Sequence, residues 1–150
     1  MNISHIHKKH NVNLLVYHLV CPAKYRREIF TKDISNTLKN ICMELSLRYE
    51  IEFIEIGTDI NHVHFLVQTI PSRSISDTVK IIKSLTAKEL FKQHPEIKKF
   101  LWGGNLWTSG YYINTVGQYG NLKILTNYVK NQGLQDYNQI HLQQPTLFEI

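Results

Sequence analysis

The sequence of 150 residues is poor in cysteine, and its two cysteines, Cys21 and Cys42, stand far apart. They form neither a CxxC pair nor a disulfide framework, so we expect a reducing compartment and two packing residues. No apolar run approaches membrane-spanning length, and the polar, basic N-terminus has no apolar signal-peptide segment. Internal repeats and a second domain are also lacking. These absences predict a cytoplasmic protein with no membrane partner.

Basic charge is what the sequence has in excess. Seventeen Lys and Arg residues against twelve Asp and Glu residues give a net charge of +5, with a pI near 9.2. A chain of this length, 43% hydrophobic, can bury a real core as a single domain. Its charge suggests a polyanionic partner but does not distinguish DNA from RNA or from a membrane surface.

The spacing of apolar residues predicts an α+β domain. Runs of β-forming residues cover 13–20, 51–56, 62–68 and 110–117, and helical stripes begin near Thr31, Ser76 and residue 122. The order is that of a ferredoxin-like or RRM-like antiparallel sheet with helices on one face, followed by a C-terminal helix over 122–132. We expect a mobile basic arm over 1–10 and a C-terminal extension over 134–150.

Two histidines, His62 and His64, stand two residues apart inside one predicted strand. Side chains alternate across a strand, so both imidazoles point to the same face, a geometry that suits a divalent metal. The same pattern is also consistent with a half-solvated strand surface.

A second pair of side chains shares one face of the last predicted helix. Tyr128 and Gln132 are four residues apart there. Two imidazoles and one amide oxygen would make an open-sided site for Mg²⁺ or Mn²⁺, with substrate oxygens completing the shell. Tyr128, one turn before the third ligand, could attack a phosphorus atom if its proton is removed or its anion is stabilised.

Two basic groups are candidates for DNA contacts. Lys24, Arg26 and Arg27 surround a tyrosine near the first strand, and Lys80 and Lys83 lie on the second predicted helix. Cations interleaved with a ring suit phosphate neutralisation and base stacking. Taken alone, the group around the tyrosine is better explained as a solvated loop, and the helical lysines are equally consistent with an ordinary solvated surface.

The chain contains, in order along its sequence, a set of segments that resemble the HUH superfamily, and specifically its small single-tyrosine transposases of the TnpA type. The resemblance covers most of the chain. The segments that carry it are Tyr17-His18-Leu19-Val20, Lys24-Tyr25-Arg26-Arg27, His62-Val63-His64, the helix from Ser74 to Phe91, Leu106-Trp107-Thr108-Ser109-Gly110-Tyr111-Tyr112, Thr115-Val116-Gly117 and Tyr128-Val129-Lys130-Asn131-Gln132.

The resemblance implies that His62, His64 and Gln132 bind the divalent metal, Mg²⁺ or Mn²⁺. Tyr128 would become joined to a DNA 5′ phosphate and leave a free 3′-OH. The substrates would be single-stranded DNA hairpins at the ends of an insertion sequence. The family acts as homodimers in which the tyrosine helix can dock beside the partner's histidine pair, with residues 117–121 as the hinge.

Two positions depart from the family pattern. Asn61 stands where the family commonly has Asp before the first histidine, which alters the surroundings of the metal ligands. Asp59 is near enough in sequence to substitute for that carboxylate. Cys21-Pro22-Ala23 occupies a region where the family tends to have Trp, which puts loop packing in doubt but leaves the chemistry intact.

Several alternatives stay open. Tyr111, Tyr112 and Tyr119 compete for the nucleophile role, although none has a Gln four residues on. The protein could be a non-catalytic nucleic-acid-binding module with aromatics on its sheet face, or a nuclease that activates water. It could also be a domesticated relative that processes repeated hairpins in the host genome.

Overall fold

The computed structural model of the chain describes residues 3–117 and 122–132. The strands are β1 (Ile6–His7), β2 (Val12–Asn13), β3 (Leu15–Pro22), β4 (Glu52–Thr58), β5 (His62–Thr69) and β6 (Tyr112–Val116), and the helices are α1 (Lys32–Arg48), α2 (Ile75–Gln93), α3 (Lys98–Leu101) and α4 (Leu122–Lys130).

The main sheet has four strands in the order β4-β5-β3-β6, and every neighbouring pair is antiparallel. β3, α1, β4, β5, α2 and β6 follow one another in the split β-α-β order, which confirms the predicted α+β fold. β4 extends beyond the predicted run 51–56, because it continues through Gly57 to Thr58 and pairs with the start of β5.

Side-chain caps determine where the two long helices begin. The Thr31 hydroxyl accepts a hydrogen bond from the Ile34 amide at 3.4 Å, so α1 begins at the predicted place. The Ser74 hydroxyl accepts one from the Asp77 amide at 3.0 Å, and α2 therefore begins one residue before the predicted Ser76. Pro95 follows the end of α2, where proline commonly stands because it cannot continue a helix.

The hydrophobic core lies between the sheet and helices α1 and α2. Alternate β5 residues Val63, Phe65 and Val67 are buried there together with Leu38 of α1 and Ile82 of α2. A smaller cluster on the opposite face joins Val16, Ile54 and Leu66, with Leu125 of α4 packed against it. Helix α4 therefore covers the face that α1 and α2 leave open.

Part of the predicted N-terminal arm is structured. Strand β1 pairs with β2, the Gln68 amide donates a hydrogen bond to the Ser4 carbonyl at 2.9 Å, and Lys8 forms an ion pair with Glu50 at 2.5 Å. The short ribbon is thereby attached to the sheet, and the arm's mobility stays a prediction. The extension over 134–150 and most of the 117–121 hinge lie outside the described residues.

Both cysteines are free and buried, as their predicted packing role requires. Burial raises the pKa of the Cys21 thiol to about 12 and raises that of Cys42 as well, so both remain protonated at neutral pH. Among the helices of the described part of the chain, none is long and apolar enough to cross a bilayer.

The packing of α1 against the core predicts how two of its leucines contribute to the free energy of unfolding. Leu38 is fully buried, whereas Leu47 of the same helix is 88% exposed. We expect Leu38→Ala to lower the free energy of unfolding by about 2–5 kcal/mol because it leaves a cavity. The matched Leu47→Ala should change it by less than about 0.5 kcal/mol. Urea unfolding followed by circular dichroism measures both, and equal losses in the two variants would contradict the placement of α1.

Candidate functional site

The two histidines of β5 lie on the face of the sheet that α4 covers. His62 and His64 alternate with the core residues of the strand, and both are buried. Their ring centroids are 5.1 Å apart. The predicted common orientation of the two imidazoles is therefore observed, and the alternative of a half-solvated surface is wrong for this strand.

Asn61 holds the ring of His62. The two atoms His62 Nδ1 and Asn61 Oδ1 are 2.7 Å apart. An amide oxygen only accepts hydrogen bonds, so His62 Nδ1 donates, and the other ring nitrogen, Nε2, carries the lone pair. Asn61 thus orients the first histidine itself. Asp59, suggested from the sequence as a substitute, instead accepts a hydrogen bond from the Ile60 amide at 2.7 Å.

A third histidine, His18 of β3, belongs to the same cluster. It is 1% exposed, and its Nε2 lies 2.8 Å from Nδ1 of His64. Burial lowers the pKa of His18 to about 4, partly offset by Asn114, so the ring is neutral at neutral pH. The sequence places His18 in the predicted strand over 13–20 and contains no local pattern that indicates a chemical role for it. The strand pairing that brings it to His64 spans 46 residues and has no local signal.

Helix α4 approaches the sheet closely at Gly57 of β4, which pairs with His64 across the ladder. The Val129 carbonyl oxygen occupies the space that a side chain at Gly57 would need. A Cβ there would also lie 2.6 Å from the Val129 carbonyl carbon and 2.9 Å from Cγ of Gln132. The absence of a side chain at Gly57 therefore allows α4 to bring its last turn beside the histidines.

Tyr128 of α4 packs directly on the histidine cluster. Its ring centroid is 5.4 Å from that of His64 and 6.1 Å from that of His18, edge-on in both cases. Burial is the main cause that raises the pKa of Tyr128; the Gln132 side chain lowers it and the charge of Asp59 raises it. The phenol is therefore protonated at neutral pH, and its use as a nucleophile requires transfer of that proton.

Gln132 presents an oxygen to the same region. Its Nε2 donates a hydrogen bond to the Tyr128 carbonyl at 3.0 Å, which fixes the orientation of the amide. The Gln132 side chain lies near the Tyr128 hydroxyl, but within the described part of the chain its buried Oε1 forms no hydrogen bond of ordinary length and angle. A buried acceptor without a hydrogen bond is costly unless a ligand satisfies it.

These atoms fit a divalent cation. Residues 3–117 and 122–132 hold no metal-binding group of three or more His, Cys, Asp or Glu side chains. Two imidazoles and one amide oxygen remain as a candidate ligand set: His62, His64 and Gln132. Nitrogen and oxygen donors of this kind suit Mn²⁺ and Mg²⁺, with open positions for water or substrate.

The other tyrosines considered as nucleophiles lie elsewhere or in other surroundings. Tyr112 of β6 packs edge-on against His18, with ring centroids 6.4 Å apart. The ring of Tyr111 lies 5.6 Å from the Lys83 ammonium, on the side of α2. Tyr119 is outside the described residues. Tyr128 combines contact with His64 and a position one turn before Gln132.

Three of the five predicted DNA-contact residues line one cavity. Lys24, Lys80 and Lys83 come from distant parts of the chain and surround a cavity of about 450 Å³ whose walls include Trp107 and Tyr111. No acidic side chain from the described residues lines it. Its lining therefore favours an anionic ligand with a planar or apolar part.

The remaining predicted contacts differ from this group. Arg26 and Arg27 are exposed and do not line the cavity. The Lys83 ammonium donates hydrogen bonds to the Thr108 and Ser109 carbonyls at 2.8 Å and 3.3 Å, so Lys83 also holds the loop that forms the wall.

The cavity and the histidine pair lie at the same end of the sheet. The Thr108 amide donates to the Pro22 carbonyl at 3.0 Å, and Pro22 pairs with His62 across the β3–β5 ladder. The Lys24 amide donates to the Leu106 carbonyl at 2.8 Å. The loop that walls the cavity is thus tied to the strand end beside His62.

Comparison with known proteins identifies a family for most of the chain. The model of the family described as "Transposase IS200 like" matches residues 11–132. The chain is 34% identical over 118 residues to the ISDra2 transposase TnpA of Deinococcus radiodurans, covering 79% of this chain and 84% of that protein. It is 28% identical over 120 residues to the transposase for insertion sequence element IS200 of Salmonella typhimurium, covering 80% and 78%.

Two solved structures share the fold. A crystal structure of a candidate transposase from Deinococcus radiodurans R1 has a TM-score of 0.69 and 30% identity, covering 85% of this chain and 98% of that one. A REP-associated tyrosine transposase bound to a REP hairpin has a TM-score of 0.56 and 8% identity, covering 97% of this chain and 79% of that one. At that identity, the second likeness shows the fold alone.

The close approach at Gly57 generates a prediction about α4. We expect Gly57→Ala to lift α4 from the sheet, because the added methyl group collides with the Val129 carbonyl. Hydrogen exchange of the amides of 122–132 should quicken, whereas α1 keeps its protection. The control is Gly104→Ala, where an added Cβ has no heavy atom within 4 Å. Unchanged protection of α4 in Gly57→Ala would show that this contact does not position the helix.

Proposed function

The chain belongs to the IS200-like transposase family, and we propose that it cuts and rejoins single-stranded DNA through a covalent bond between Tyr128 and a 5′ phosphate. The observation that carries the proposal is the contact of the Tyr128 ring with His64, at 5.4 Å between centroids. A nucleophile beside a pair of imidazoles and a buried amide oxygen is the arrangement that phosphodiester transfer needs.

The transfer conserves the number of phosphodiester bonds. The Tyr128 oxygen forms a bond to phosphorus and the bond from phosphorus to the 3′ oxygen breaks. The phenol gives up one proton and the leaving oxygen takes one up, so the step releases a 3′-OH with no net change in protons. The tyrosine ester keeps the energy of the broken bond, so a second 3′-OH can reverse the step and join a new strand. Burial of the Tyr128 ring against His64 and His18 limits its motion and orients the hydroxyl.

The residues that would hold a divalent cation, Mg²⁺ or Mn²⁺, are His62, His64 and Gln132. Such a cation supplies charge stabilisation for the phosphate oxygens in the transition state. The residues around the site orient the nitrogen and oxygen atoms that would bind the cation. Asn61 orients the ring of His62, and the hydrogen bond from Gln132 Nε2 to the Tyr128 carbonyl orients the amide so that Oε1 remains available.

The proposed substrate is a single-stranded DNA hairpin at the end of an insertion sequence. The net charge of +5 and the cavity lined by Lys24, Lys80 and Lys83 support a polyanionic ligand. The second structural neighbour is bound to a REP hairpin, which makes hairpin DNA the natural probe. The reducing environment that two free, buried cysteines favour supports a cytoplasmic place of action.

A homodimer is part of the proposal. The family resemblance implies that the tyrosine helix can dock beside the histidine pair of a partner subunit. In the structure of the single chain, α4 packs instead on its own sheet, with Val129 over Gly57. We propose that both arrangements use the same docking surface, so that the active site is completed by the chain's own α4 or by the partner's.

Covalent trapping tests the nucleophile. Hairpin DNA labelled at its 3′ end, mixed with the protein and Mn²⁺, should give a labelled protein band on a denaturing gel. Tyr128→Phe should abolish this band, because it removes the attacking oxygen but keeps the buried ring, and His64→Ala should abolish it by removing a cation ligand. Tyr112→Phe, on the same face of the sheet, is the matched control and should keep the band.

Two other outcomes would overturn the proposed chemistry, and a third would change the proposed substrate. DNA cleavage without a labelled band would make water the nucleophile. Hairpin binding that is indifferent to Mn²⁺ and to Tyr128→Phe, without cleavage, would indicate a binding module. A labelled band formed only with repeated genomic hairpins would assign the chain to a domesticated relative with the same chemistry.

The basic cavity generates a prediction about DNA affinity. Lys80 is exposed at the cavity, whereas Lys88 of the same helix is exposed away from it. If Lys80 neutralises a phosphate, Lys80→Ala should weaken hairpin binding and reduce the slope of log affinity against log salt concentration by about one. Lys88→Ala should leave the slope unchanged. Fluorescence anisotropy over a salt series measures both, and equal slopes in the two variants would remove the cavity from the DNA interface.

A further inference from the structure

We propose that His18 is a positioning residue, which accepts a hydrogen bond from Nδ1 of His64 and thereby holds Nε2 of His64 ready to bind the divalent cation. This inference rests on the proposed function, since it concerns one of its three cation ligands. It assigns a role to a residue of β3 that lies outside the set of His62, His64, Tyr128 and Gln132.

The geometry of the two rings fits an in-plane hydrogen bond. His18 Nε2 and His64 Nδ1 are 2.8 Å apart, and the ring planes differ by 20°. Nearly coplanar rings point a nitrogen lone pair of one ring along the N–H bond of the other. Both side chains are 1% exposed, so water does not compete for this contact.

The position of the shared proton decides which nitrogen of His64 can bind a cation. If the proton belongs to His18 Nε2, then neutral His64 carries its own proton on Nε2 and cannot ligate through that atom. If it belongs to His64 Nδ1, the lone pair is on Nε2. The Nδ1 atom already faces His18 at 2.8 Å, so Nε2 is the ring atom left for a cation, and His18 must be the acceptor.

His18 is suited to accept. A neutral imidazole has one acceptor nitrogen and one N–H group, so His18 Nε2 accepts from His64 when the proton of the His18 ring is on Nδ1. Asn114 of β6 stands opposite His18 in the β3–β6 ladder, and the buried Nδ1 of His18 has no hydrogen bond of ordinary length and angle among the described residues. The contact of His18 with His64 joins the neighbouring strands β3 and β5 beside the proposed cation site.

The two proposed histidine ligands are then held in the same way. Asn61 Oδ1 accepts from Nδ1 of His62 at 2.7 Å, and His18 Nε2 accepts from Nδ1 of His64 at 2.8 Å. Second partners of this kind fix both the tautomer and the ring orientation of metal-binding histidines, and their loss typically weakens metal binding about 10- to 100-fold. A purely packing role would not require a polar residue at this buried position.

The test is a calorimetric titration of the full chain with Mn²⁺ alone. We expect His18→Phe to weaken Mn²⁺ binding about 10- to 100-fold, because the ring shape remains but the acceptor is lost. His18→Gln, whose Oε1 can accept from His64, should restore most of the affinity. Wild-type affinity in folded His18→Phe would overturn the inference, and so would a His18→Gln variant as weak as His18→Phe.

A second measurement needs neither a variant nor a metal. In ¹⁵N-labelled wild-type protein, NMR should show the His64 proton on Nδ1, with coupling to His18 Nε2 across the hydrogen bond. A proton on His64 Nε2 would overturn the inference even if the trapping assay succeeds. Failure of the wild type to bind Mn²⁺ at all would overturn the proposed ligand set together with this role, whereas equal binding by wild type and His18→Phe rejects only the role of His18.

Discussion

The separation between α4 and β4 is the constraint on which the site depends. The Val129 carbonyl occupies the space beside Gly57 where any other residue would place its side chain. This approach sets Tyr128 against His64 and brings Gln132 over the strand that pairs with the histidines. Because the close-packed interior of a protein tolerates few added atoms, one methyl group at Gly57 is enough to separate the proposed nucleophile from its proposed cation ligands.

The two faces of the sheet have different roles. One face packs on α1 and α2 through apolar residues and supplies stability, as Phe65 and Leu38 illustrate. The other buries three imidazoles, which is unfavourable unless their polar atoms have partners. Asn61 and His18 partner the Nδ1 atoms of His62 and His64. The polar cluster is therefore held rigidly by a strand framework whose stability is provided on the opposite side, and rigid placement is what a phosphoryl-transfer site requires.

Local patterns were sufficient for the fold and for part of the candidate site. The alternation around His62 and His64 and the four-residue spacing of Tyr128 and Gln132 follow from strand and helix periods, so both pairings could be predicted.

The contact of His18 with His64 could not be predicted, because it depends on the β3–β5 register over 46 residues. The role of Gly57 has no local signal either, because a glycine needed for a helix that packs against it 72 positions later looks the same in the sequence as a flexible one. The convergence of Lys24 with Lys80 was equally invisible, since it depends on where the 106–108 loop is tied.

In the proposed arrangement, α4 completes a cation site begun by the two histidines, with Tyr128 beside it. Diffraction from crystals soaked in Mn²⁺, recorded at a wavelength where manganese scatters anomalously, tests it most directly. We expect one strong anomalous peak that contacts Nε2 of His62, Nε2 of His64 and Oε1 of Gln132, with Tyr128 within reach of the same space. A peak held by the histidines without Gln132, or by Nδ1 of His64 with the His18 contact broken, would contradict it.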